Sequence, residues 1–200
     1  MSRTVFDPAA PGTNPYKLLT SLVVPRPIAW VSTLDAAGHG NLAPHSFFTV
    51  AANRPPTVLF TSQGHKDTVS NVETTGEFVV NIATEPLLEQ VNASSAPFER
   101  GDDEAVRLAI TMEASEKVAP QRVADSPASI ECRLDRIVEV GTSYVVLGEV
   151  VAITVREDVL EDGLPTIDGL RPLSRLGRDE WGRPPEVIHV TRPQRPEDVL

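Results

Sequence analysis

The densest group of anion-binding side chains falls in Phe60-Thr61-Ser62-Gln63-Gly64-His65-Lys66-Asp67-Thr68. A strand signal ends there, a hydroxyl-rich loop with a glycine follows, and a helix begins. Free amides at a helix N-terminus attract anions, and Lys66, Ser62 and Thr68 add a charge and two hydroxyls. The chemistry this suggests is a phosphate cradle. Asp67 would repel phosphate, so it reads better as a helix cap or as a partner that positions Lys66. The same run also fits a solvated loop with a capped helix, and the residues leave both readings open.

Two further stretches can hold a planar, hydrogen-bonding molecule. In Gly40-Asn41-Leu42-Ala43-Pro44-His45-Ser46 the proline removes one amide, so the run cannot be a fully paired central strand. Its backbone groups, with Asn41 and Ser46, are then available to a ligand; a bulged edge strand accounts for the pattern equally well. In Val24-Pro25-Arg26-Pro27-Ile28-Ala29-Trp30-Val31-Ser32-Thr33 two prolines stiffen the chain around Arg26 ahead of a strand. An ordinary strand start with Trp30 in the core explains that stretch too. His39, His45, His65 and His189 share no metal-ligand spacing, so no metal site is expected.

These segments need elements to position them. Strands are expected over 28–33, 57–61, 77–82, 128–138 and 143–155, which are rich in Val, Ile, Thr and Phe. In the fourth, Ile130, Cys132 and Leu134 alternate with Glu131, Arg133 and Asp135, as in a strand with one wet face. Residues 144–155 are nearly all apolar and read as a central strand covered on both faces. A hairpin over 139–143 joins the two. Helices are expected from Asp67 to near Gly76, over 85–93 behind Thr84, and over 102–109 with Ala105, Val106 and Ala109 as the apolar face. Strands dominate without regular βαβ alternation, so the fold class is mainly β (α+β), a barrel with a few decorating helices. No dinucleotide or P-loop glycine motif is present.

The chain has 200 residues, 40% hydrophobic and 23% charged, which suits a single domain with residues 1–14 as an arm and 192–200 as a tail. A net charge of −10 disfavours nucleic acid and anionic membranes as partners. No run approaches the about 20 apolar residues of a membrane span, and the N-terminus lacks a signal-peptide core, so a cytoplasmic location is expected. The lone Cys132 reads as a buried structural thiol.

Taken in order, Pro25-Arg26-Pro27-Ile28-Ala29-Trp30-Val31-Ser32-Thr33, Asn41-Leu42-Ala43-Pro44-His45-Ser46 and Lys66-Asp67-Thr68 with Asn71 resemble the flavin reductase-like family, flavoredoxins included. The resemblance runs from about residue 14 to about residue 189. It implies an FMN-binding split β-barrel, a homodimer with FMN near the interface, and hydride transfer from NAD(P)H to the flavin. Electrons would pass on to oxygen, a second flavin or a partner protein. It puts Ser32, Thr33, Asn41, Leu42, Ala43, Pro44 and Ser46 around the ring and ribityl chain, and Ser62, Lys66 and Thr68 at the phosphate. Two other classes stay open: an FMN-holding electron carrier without a nicotinamide site, and a non-enzymatic flavin-binding or sensor protein.

A weaker match is Pro172-Leu173-Ser174-Arg175-Leu176-Gly177-Arg178-Asp179-Glu180-Trp181, similar to the family's late Arg-Leu-Gly-Gly segment. It adds Arg175 and Gly177 as cofactor contacts. Here Arg178 stands where a second glycine is common and Trp181 where tyrosine is. Trp181 and Arg26 are candidates for contacting a substrate, Arg26 through an anionic part of the flavin or nicotinamide. An interface aromatic and a structural ion pair are the plain alternatives.

Overall fold

A computed structural model describes residues 2–195 and 198. Seven strands form one antiparallel sheet: β1 (Ala29–Leu34), β2 (Gly40–His45), β3 (Phe48–Asn53), β4 (Pro56–Gln63), β5 (Glu77–Ile82), β6 (Ala128–Val140) and β7 (Ser143–Val155), in the order β2-β1-β5-β6-β7-β4-β3. The two outermost strands, β2 and β3, are consecutive in sequence and separated only by Ser46 and Phe47. Such a short link pulls the two edges toward each other, so the sheet curls into a barrel with a seam between β2 and β3. Among the described residues five α-helices decorate it: α1 (Pro15–Leu22), α2 (Asp67–Thr75), α3 (Leu88–Ala93), α4 (Glu104–Arg107) and α5 (Ile167–Leu170). None of the described helices is long and apolar enough to cross a membrane.

Alternation along β1 explains its central role. Ala29 and Val31 enter a core with Val58, Phe60, Phe78, Val80, Cys132 and Val146, to which α2 adds Val69 and Val72. Ile28 and Trp30 point the other way, into a second core with Leu42, Leu87, Val91, Ala105 and Leu173. The Trp30 indole Nε1 donates to Ser94 Oγ at 2.9 Å, so the ring's polar atom is satisfied in that core. Gly148 is required by close approach: a Cβ there would lie 2.3 Å from Phe78 Cζ.

Several expectations are corrected. β7 is central in the sheet, but its second face is uncovered within one chain; Ile153 is 63% exposed. Glu131, expected on a wet face, is fully buried. Its carboxylate accepts the Glu116 and Lys117 amides at 2.8 and 2.6 Å and lies 3.7 Å from Arg122, which compensates the buried charge. The helix expected over 102–109 shrinks to α4, capped by Asp103, and Val106 is exposed. Helix α1 was not foreseen, although Asn14 caps it through the Lys17 amide and Pro15 opens it, a recognisable start signal. Residues 2–13 carry no helix or strand. Of the expected tail over 192–200, residues 196, 197, 199 and 200 lie outside the described residues.

Candidate functional site

A cleft of about 580 Å³ opens where β2, the end of β4 and the start of α2 meet. Its polar end is built by the turn between β4 and α2. Gly64 sits at φ +88°, a conformation that glycine adopts without strain, and lets the chain reverse into the helix. Ser62 Oγ donates to the Gly64 carbonyl at 2.9 Å and fixes that turn. The residue before the helix is Lys66, in extended geometry and with no side-chain cap. The first-turn amides of α2 are therefore not taken by a capping side chain. Asp67, expected as the cap, instead occupies the first helical position, with its carboxylate 3.8 Å from Arg100 Nε.

The opposite wall is β2, which pairs only with β1. Asn41, Ala43, Pro44, His45 and Ser46 line the cleft, as do Ser62, Lys66 and Thr68 across it. The two sides are tied together: Asn41 Nδ2 donates to Thr68 Oγ1 at 3.1 Å and to Thr33 Oγ1 at 3.3 Å, while Asn71 Nδ2 also donates to Thr33 Oγ1 at 3.1 Å.

Ser32, Thr33 and Leu42 stand behind this wall. Ser32 Oγ is taken by the Gln121 carbonyl, Thr33 is enclosed by the two asparagines, and the Leu42 side chain is in the second core. The Leu42 amide, a candidate donor to a ligand, is occupied by Glu104 Oε2 at 2.7 Å. These three residues shape the wall from within; their side chains do not line the cleft.

Two titratable groups in the lining are shifted toward their neutral forms. Burial, aided by the Lys66 charge and opposed by the Thr61 backbone, pulls the His45 pKa down to about 4. Its ring packs against Phe60 at 4.7 Å between centroids, and its Nε2 is buried without a partner among the described residues. Burial also raises the Glu104 pKa above the ordinary carboxylate value; the Leu42 amide opposes this, and Asp103 and Asp67 add to it. The polar end of the cleft thus carries two cations, Lys66 and Arg100, with the Asp67 carboxylate beside Arg100.

The remaining expected residues lie outside the cleft. Arg26 is buried, and its guanidinium donates to the carbonyls of Thr20, Val23 and Leu176. It clasps the end of α1 to the late segment, so within one chain it is not free to meet an anion. Arg26 also faces Arg175 across a short strand pair. Arg175 in turn lies 4.7 Å from the centre of the Trp181 ring and donates to the Arg178 carbonyl. Gly177 is explained by packing: a Cβ would come within 2.8 Å of Ser21 Oγ. Arg178 adopts φ +53°, so the left-handed backbone that a glycine would favour is kept without one. Trp181 lines a separate recess of about 460 Å³ with Pro86, Leu88 and Leu173.

Sequence reasoning missed Tyr16, Phe47, Gln63, the loop over 94–100 and Glu104, all in the lining. The loop falls between two expected helices, and Glu104 lies in the second of them but off its expected apolar face, so no periodic pattern points either at the cleft.

The sequence profile of the flavin reductase like domain matches residues 21–173. An uncharacterized protein of Deinococcus radiodurans is 41% identical over 172 residues, covering 81% of this chain and 76% of its own length. The crystal structure of nitrilotriacetate monooxygenase component B from Bacillus cereus superposes with a TM-score of 0.91 at 28% identity, covering 95% of this chain and 99% of that one. The structure of the 2-nitrobenzoate 2-nitroreductase of Pseudomonas fluorescens gives a TM-score of 0.88 at 29% identity, covering 96% and 97%.

Proposed function

The chain belongs to the flavin reductase-like family of split-barrel flavin-binding proteins, and from that premise we propose that it holds FMN in the cleft and oxidises NAD(P)H. The observation that carries this reading is the juxtaposition of Lys66 and the uncapped start of α2 with the β2 wall. One end of the cleft offers charge and amides, as a phosphate requires. The other offers an edge strand with exposed backbone groups, against which an uncharged ring system could lie.

When bound, the flavin supplies the hydride-accepting chemistry. This chain's residues bind and orient. Lys66 supplies a point charge to the phosphate and Thr68 a hydroxyl proton, Ser62 would join them by turning its hydroxyl from the Gly64 carbonyl, and the Asn41–Thr68 bond holds the two walls at a fixed spacing. His45, neutral near pH 7, adds no charge beside the polyol chain. The reaction needs the nicotinamide placed on the exposed ring face, which shape can supply without a side-chain acid or base.

The protein acts as a homodimer in this reading. Val50 on β3, Val138 and Val140 on β6 and Ile153 on β7 are 71%, 43%, 59% and 63% exposed in one chain, and a second copy would cover them. Electrons leave to a small-molecule or protein acceptor. A titration that follows flavin fluorescence tests the cofactor: FMN should bind much more tightly than riboflavin. Equal affinity for the two would remove the phosphate assignment.

A further inference from the structure

Glu104 has no role in the binding scheme above, yet it lines the same cleft and is 94% enclosed, with 6% of its surface exposed. It opens α4, a four-residue helix held by Asp103, whose Oδ1 accepts the Ala105 and Val106 amides. Glu104 Oε2 receives the Leu42 amide at 2.7 Å, which fixes the carboxyl against the back of β2. No ion pair joins it to a Lys, Arg or His among the described residues; the charges that act on it electrostatically are the acids Asp103 and Asp67. A carboxylate so enclosed, without a cation and beside other acids, is costly, and burial accordingly shifts it toward the acid form.

We propose that Glu104 sets the charge selectivity of the cleft: its acid form admits a phosphate-bearing ligand, and its carboxylate form opposes one. This rests on the flavin reading. The other titratable groups facing the cleft are Tyr16 from α1, His45 from β2, Lys66 and Asp67 from α2, and Arg100 from the loop over 94–100. Lys66 and Arg100 attract the phosphate, Asp67 repels it, and His45 is neutral above about pH 5. Glu104 is the enclosed acid among them, so its ionisation changes the field inside the cleft where solvent screens least. Binding of FMN would then favour proton uptake by Glu104, and affinity would fall as pH rises through its folded pKa.

The test compares wild type with Glu104→Gln, which keeps an oxygen acceptor for the Leu42 amide and cannot ionise. FMN and riboflavin dissociation constants are measured by fluorescence from pH 5.5 to 8.5. Taking the ratio of the two proteins cancels the ionisation of the FMN phosphate itself and of the other cleft groups. For FMN, the wild-type dissociation constant relative to the variant's should rise with pH, by about three- to tenfold across the range. For riboflavin the ratio should stay near unity. Glu104→Met, uncharged and similar in length, should also bind FMN without the wild-type pH dependence if Gln disturbs folding. An FMN ratio that does not change with pH would overturn the proposal. Failure of every protein to bind FMN at any pH would reject the flavin reading itself, a distinct signature.

Discussion

Asn41 Nδ2 lies 3.1 Å from Thr68 Oγ1, and this bond joins the edge strand β2 to the first turn of α2. The two residues come from motifs 27 positions apart in sequence. One would face the ring and the other the phosphate of a single ligand. Both are buried, so the bond is shielded from water. Thr68→Val keeps the shape and removes the hydroxyl. Asn41 would retain only its longer contact to Thr33. We expect a stability loss of about 0.5–1.5 kcal/mol, read from urea unfolding. Both ligands should weaken because wall spacing serves both, FMN more than riboflavin because it also loses the hydroxyl at its phosphate; equal weakening would restrict Thr68 to wall spacing.

Lys66 precedes α2 without a side-chain cap. Lys66→Ala removes a charge-assisted contact worth about 1.5–3 kcal/mol, so FMN affinity should fall roughly ten- to a hundredfold. Riboflavin, which lacks the phosphate, should bind nearly as before. An equal loss for both ligands would show that Lys66 acts on the ring or on the fold.

His45 links stability to pH. Its folded pKa of about 4 lies below the unfolded value of 6.5, so the unfolded chain takes up the proton first as pH falls. The contribution is fully present above pH 6.5, is lost between 6.5 and about 4, and is flat below. It amounts to at most about 3 kcal/mol, since each unit of difference corresponds to roughly 1.4 kcal/mol. In His45→Gln the difference from wild type should change across that window in urea unfolding. Parallel wild-type and variant curves from pH 7 to pH 4 would remove His45 as the cause.

The legible parts of this molecule were those with local signals. β5 and β7 begin and end where their Val- and Ile-rich runs do, and the αL glycine Gly76 stops α2 as a helix-ending glycine should. β3 escaped notice because Phe48-Thr49-Val50-Ala51-Ala52-Asn53 is short, mixed and mostly exposed, an edge strand with little burial to pattern it. At the site, the motif residues with cleft-facing side chains were found from spacing and resemblance. Sequence could not tell which members of a strand face the ligand and which face the core, so Ser32, Thr33 and Leu42 were grouped with Asn41. Arg26 kept two readings for a related reason: its partners within one chain are three carbonyls, which leave no trace in side-chain identity. Glu104 is bonded to β2 through a backbone amide 62 residues away, a contact that no sequence pattern encodes.

The proposed function requires that FMN held in the cleft be reduced by NAD(P)H. The most direct measurement is anaerobic stopped-flow absorbance in the flavin band, with the FMN-loaded protein mixed against NADH and, separately, NADPH. At least one of them should bleach the flavin, at a rate that saturates with nucleotide concentration. No bleaching by either, while dithionite still reduces the bound flavin, would contradict that function.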